Sequence, residues 1–102
     1  MAHAITPTPV PSSHSFEREI SSRVRAFLQD NFLYLRPADF SLHDDDRLME
    51  RGVIDSMGVV EVISFIEDTF AIRVQEDEIS EANLGSVGAI VAFVCRKRAS
   101  AA

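Results

Sequence analysis

The chain has 102 residues, 46% of them hydrophobic, and its 16 acidic and 10 basic side chains give a net charge of −6. That length fits one domain with a buried core, while the negative sign argues against nucleic acid as a partner, since phosphates would be repelled. The single cysteine, Cys95, excludes an intrachain disulfide and a cysteine metal cluster, and no apolar run approaches bilayer length.

With no basic, apolar leader at the N-terminus, a cytoplasmic protein that does not insert into membrane is expected. Residues 1–15 hold Pro7, Pro9 and Pro11 among Thr, Ser and His, a composition that predicts a mobile tail. The domain is expected over residues 16–98, with a short C-terminal tail at 99–102. Ser15 is placed to cap a first helix in which Ile20, Val24, Phe27, Leu28 and Phe32 recur at helical spacing. Glu17, Arg18, Arg25 and Gln29 form its polar back.

Pro37 ends that pattern, and from Tyr34 to Asp55 the apolar residues Phe40, Leu42, Leu48, Met49 and Val53 are spaced irregularly. This reads as a long loop pinned by scattered side chains, of a length that tends to be functional. The acidic run Asp44-Asp45-Asp46 is expected to be solvated. A second helix is predicted from Ser56 to Phe70, with Asp55 as its N-cap. Apolar residues from Met57 to Phe70 cover more than one face of it, so part of that surface is expected to meet a partner. A brief turn around Ile79 to Asn83 leads to a last helix with Val87, Ile90, Val91 and Val94 in register, ending in Arg96, Lys97 and Arg98. The segment Ala71 to Val74 is too short for a paired strand. The expected fold is all-α, a small four-helix bundle with a long loop between the first two helices and a short third helix.

The chemistry concentrates in Gly52-Val53-Ile54-Asp55-Ser56-Met57, directly ahead of the apolar helix. At a helix N-terminus the Ser56 hydroxyl points outward beside unsatisfied N–H groups, where a phosphate ester is stabilised. A helix cap with no further role is the plain alternative. A hydrolase nucleophile fits poorly, because Ile54 stands where a Gly-x-Ser-x-Gly elbow needs its first glycine, and only Gly58 fits. His43-Asp44-Asp45-Asp46 lacks the spacing of a calcium loop. Cys95 sits beside basic residues able to lower its pKa, but it reads as a helix residue with no catalytic partner.

These residues resemble the acyl and peptidyl carrier proteins, whose signature is Asp-Ser-Leu or Asp-Ser-Met opening the second helix. The resemblance runs from about Phe16 to Arg98, and it includes Asp44 and Asp46 ahead of Leu48 and the closing Phe70. It implies a bundle of the acyl-carrier type and 4′-phosphopantetheine on Ser56, attached from coenzyme A by a phosphopantetheinyl transferase. The cargo would be a thioester on that arm, loaded by an ATP-dependent ligase, and the chain itself a non-catalytic monomer. Met57, Val60 and Glu61 would be docking contacts, and Glu61 and Glu67 fall where the family's second helix carries acidic partner contacts. Gly58 and Thr69 stand where many fatty-acid carriers have acids. With Phe32-Leu33-Tyr34-Leu35-Arg36-Pro37, the motif is similar to the stand-alone bacterial aminoacyl carriers, which are loaded by a homologue of seryl-tRNA synthetase. An acyl carrier of fatty-acid, polyketide or lipid synthesis is the alternative within the family. A helical interaction module without a prosthetic group is the alternative outside it.

Overall fold

A computed structural model describes residues 13–37 and 39–101, with the side chains of 15–37 and 39–100. Four α-helices and no strand occur among these residues: α1 (Ser13–Leu28), α2 (Ser56–Phe70), α3 (Glu81–Leu84) and α4 (Val87–Ala101). Helix α1 opens at Ser13, so Ser15 lies inside it and does not cap it. The rest of the expected tail, residues 1–12, lies outside the described residues. Helix α4 continues through the expected C-terminal tail as far as Ala101.

Ile20, Val24 and Leu28 bury the inner face of α1, as their spacing requires. Past Leu28 the chain departs from a plain α-helix. Gln29–Leu33 forms a π-helical turn, and the next buried residue is Leu33, five positions after Leu28. A π turn carries one residue more than an α turn. It thereby delivers Leu33 to the core and leaves Phe32 half-buried on the flank. The helical path ends at Leu33, ahead of Pro37, and the turn closes with the Arg36 N–H donating to the Leu33 carbonyl at 2.9 Å.

Helix α2 begins and ends where the sequence predicts. It buries Gly58, Val62, Ile66 and Phe70. Its C-terminus turns at Ala71, whose φ of 55° is the left-handed conformation commonly taken by glycine at this position. Two side chains secure that end: Arg98 donates to the Phe70 carbonyl at 2.9 Å, and the Glu67 carboxylate accepts from the Val74 N–H at 2.9 Å. A 3-10 turn (Glu76–Glu78) follows, with Gln75 and Glu78 satisfying each other's backbone N–H groups. Ser80 caps α3 through the Asn83 N–H, and Ser86 accepts from the Ala89 N–H at the start of α4.

The long loop is pinned more tightly than its composition suggests. Leu48 is fully buried, its N–H donates to the Gly85 carbonyl at 2.8 Å, and its own carbonyl accepts from Val53 N–H at 2.8 Å and Ile54 N–H at 3.4 Å. The Gly88 N–H donates to the Asp44 carbonyl at 2.7 Å, and a Cβ at Gly88 would stand 3.1 Å from that oxygen. The loop therefore crosses the α3–α4 junction in backbone contact. Val53 and Ile54 are buried beside it, whereas Met49, an expected anchor, is 48% exposed because it sits on the outer side of the turn that Leu48 closes. Gly52 adopts φ +73°, and its carbonyl accepts from Arg36 at 2.8 Å.

Two arginines clasp the loop further. Arg25, expected on the polar back of α1, donates to the Leu42 carbonyl at 2.6 Å and pairs with Asp44. Arg51 pairs with Asp46 at 2.6 Å. The Arg36 and Arg51 guanidiniums each lie 4.8 Å from the centre of the Phe40 ring. The acidic run is thus divided: Asp44 and Asp45 are exposed, as expected from sequence, and Asp46 is half-buried, while Asp44 and Asp46 also fasten the loop.

Replacing Leu48 with alanine removes the side chain that anchors this crossing. The expected loss is about 2–5 kcal/mol, measured as a shift in the urea midpoint with an unchanged slope.

Candidate functional site

Asp55 leaves the loop in an extended conformation, with φ −111° and ψ −170°, and its carboxylate accepts from the Gly58 N–H at 2.8 Å. That bond satisfies one of the first-turn donors of α2. The Ser56 and Met57 N–H groups have no intrahelical acceptor by the geometry of a helix start. Ser56, the first residue of α2, is exposed. Its hydroxyl lies at the positive end of the helix dipole, where a negative ester oxygen is favoured. The immobilised loop fixes this position: Leu48 holds Val53 and Ile54, and these deliver Asp55 to the cap.

Met57 is 68% and Val60 55% exposed, and Glu61 is exposed one residue further on. The three docking candidates therefore follow Ser56 on an open stretch of α2. Glu67 does not join them, because its half-buried carboxylate is engaged by the Val74 N–H and closes the helix end. Tyr34 is largely exposed and anchors nothing in the core.

Gly58 has a steric reason to be glycine. A Cβ there would stand 2.8 Å from the Ile54 Cβ and 3.2 Å from the Phe32 ring. Phe32 reaches this spot from the π turn, half-buried and packed against the edge of the core. With Met49, Gly52, Val53, Ile54, Asp55, Met57 and Glu61 it lines an open groove of about 590 Å³. Asp55 and Met57 flank Ser56 in the chain, so the groove lies alongside the serine. Reading the helix at α spacing placed Phe32 in the core and missed this role.

Other candidates are accounted for elsewhere. Among the described residues no group of three or more His, Cys, Asp or Glu side chains is arranged to hold a metal ion, and no helix is long and apolar enough to cross a membrane. Burial, with a smaller effect from Glu17, pushes the Cys95 thiol up. The basic residues beside it are engaged elsewhere, Arg96 with Asn83 and Lys97 with Glu78. No protein-family model matches the chain.

The His43 backbone N–H and the Arg51 guanidinium hold the Asp46 carboxyl below its ordinary value of 3.8. The Gln75 N–H and the Lys97 ammonium act likewise on Glu78, below 4.5. A depressed folded-state pKa adds stability that is complete above the unfolded value and disappears as pH falls through the folded one. The difference in urea midpoint between wild type and Asp46→Asn should therefore be full near neutral pH and shrink as pH drops below 3.8. Gly58→Ala carries the opposite sign to the usual helical gain of about 1 kcal/mol. The contact with Ile54 and Phe32 should make it destabilising by about 1–3 kcal/mol, read from thermal or urea unfolding.

Proposed function

We propose that this protein is a carrier that bears 4′-phosphopantetheine on Ser56 and presents a thioester-bound cargo to partner enzymes. The observation that carries the reading is an exposed serine at the open N-terminus of α2, set there by a fastened loop and followed by exposed apolar residues. The architecture fits a bundle of the acyl-carrier type: four helices, a long first connection and a short third helix.

The residues at this position suit the attached group. The Ser56 hydroxyl is open to a transferase, and the Asp55 carboxylate is occupied by Gly58 N–H, leaving the first N–H groups of the helix toward the ester phosphate. When bound, the arm supplies a terminal thiol for thioester formation. The chain's own part is to hold the attachment point still, to expose it, and to offer Met57, Val60 and Glu61 to the docking enzyme. Tethering keeps the cargo at high effective concentration at each enzyme in turn. Catalysis belongs to the phosphopantetheinyl transferase and the ATP-dependent loading ligase. An amino acid, loaded by a ligase resembling seryl-tRNA synthetase, is the proposed cargo. The apolar first turns of α2, with Gly58 where fatty-acid carriers hold an acid, support it over a fatty acyl group. The site of action is proposed to be the cytoplasm, with the protein acting as a monomer.

The exposed Met57 and Val60 also favour a second reading, an interaction module without a prosthetic group. Intact mass after incubation with coenzyme A and a broad-specificity phosphopantetheinyl transferase separates the two. The carrier gains one phosphopantetheine in wild type and none in Ser56→Ala. A folded, previously unmodified wild type that gains no mass leaves the interaction module as the better account. Offering the modified protein ATP, amino acids or fatty acids and the matching ligases then identifies the cargo class.

A further inference from the structure

Between the end of α1 and the first part of the long loop lies a cleft of about 310 Å³. Its floor is apolar, made by Leu33, Pro37, Phe40 and Leu42, and its polar wall consists of Arg25, Gln29 and Arg36. No carboxylate lines it, although the chain carries a net charge of −6. Three guanidiniums meet the residues of the floor: Arg25 donates to the Leu42 carbonyl at 2.6 Å, and Arg36 and Arg51 lie over the Phe40 ring. Arg25 pairs with Asp44 and Arg51 with Asp46, so their charges are compensated. Arg36 is different. It donates to the Gly52 carbonyl at 2.8 Å, and among the described residues it has no carboxylate partner. The Gln29 side-chain amide likewise has no hydrogen-bond partner among those residues.

We propose that this cleft binds a small organic carboxylate, with the anion on the Arg36 guanidinium and the Gln29 amide and the apolar body on the floor. A guanidinium presents its N–H donors in a planar fork that matches a carboxylate, and the bond to Gly52 leaves most of that fork open. The same bond and the stack on Phe40 hold the fork in place before a ligand arrives, which lowers the cost of ordering it. Inorganic phosphate would use the same donors, but it has nothing to set against four apolar side chains. The volume is at the lower end of the range for small-molecule sites, about 300–1,000 Å³, and suits a single ring or a branched aliphatic body. The cleft shares no lining residue with the groove beside Ser56, and its chemistry does not depend on an arm at that serine. An occupant touches both the end of α1 and the loop, so its binding stabilises the folded chain.

The test is titration of the full chain with benzoate, followed through backbone and side-chain amide NMR shifts. Saturable shifts are expected at Gln29, Leu33, Arg36 and Leu42, with a Kd of about 1–10 mM and a thermal midpoint that rises with occupancy. Acetate keeps the charge and benzyl alcohol keeps the ring, and each should bind about tenfold more weakly. Gln29→Glu, at an exposed position, places a carboxylate in the cleft and should weaken benzoate by about tenfold or more. Arg36→Gln should act in the same direction. Arg73→Gln, at an exposed arginine outside the cleft, is the control that leaves Kd as it was. Benzoate that binds a folded Gln29→Glu as tightly as wild type, or that shifts residues elsewhere, overturns the site. Acetate or inorganic phosphate binding as tightly as benzoate overturns the assignment of an apolar body.

Discussion

The site depends on Leu48. Its side chain is fully buried, its N–H is bonded to Gly85, and its carbonyl receives both Val53 and Ile54. These contacts join the loop to the α3–α4 junction on one side and to the entry of α2 on the other. Without them the long connection would retain its conformational entropy, and each ordered residue costs about 1–2 kcal/mol of backbone freedom. The arginine clasps at Asp44 and Asp46 are exposed enough that each adds little alone. They act on a loop whose course Leu48 has already set.

Precision at Ser56 follows from that constraint and from local helix chemistry together. Asp55 caps α2 only if it arrives extended, and it arrives extended because Ile54 is buried just ahead of it. The cap in turn decides which residue begins the helix. A shift of one position would rotate the hydroxyl about 100° around the helix axis. The serine is thus held by backbone bonds and burial on its N-terminal side, while its own side chain stays open. That combination suits a group that other proteins must reach.

Much of this was legible in the sequence. The cap and limits of α2, the short α3 and the buried stripe of α4 follow from capping residues and apolar spacing, which are local signals. The exposed serine at the start of α2 was legible for the same reason. What escaped was set by contacts distant in sequence. Nothing near Met49 shows that Leu48 takes the buried side of the turn. Arg25 looks like a surface residue until Leu42 and Asp44 are brought to it. Glu67 reads as a partner contact until the chain after Ala71 folds back to give it the Val74 N–H. The π turn was hidden because Phe32 satisfies the α spacing and Leu33 satisfies the core.

A π turn holds one residue more than an α turn, and in this chain it forms the last turn of the helical path. Here the extra residue leaves Ile20, Val24 and Leu28 in place and exchanges an inward position for an aromatic wall facing α2. With one residue fewer between Gln29 and Leu33, the chain would have to choose between burying Leu33 and setting Phe32 beside Gly58.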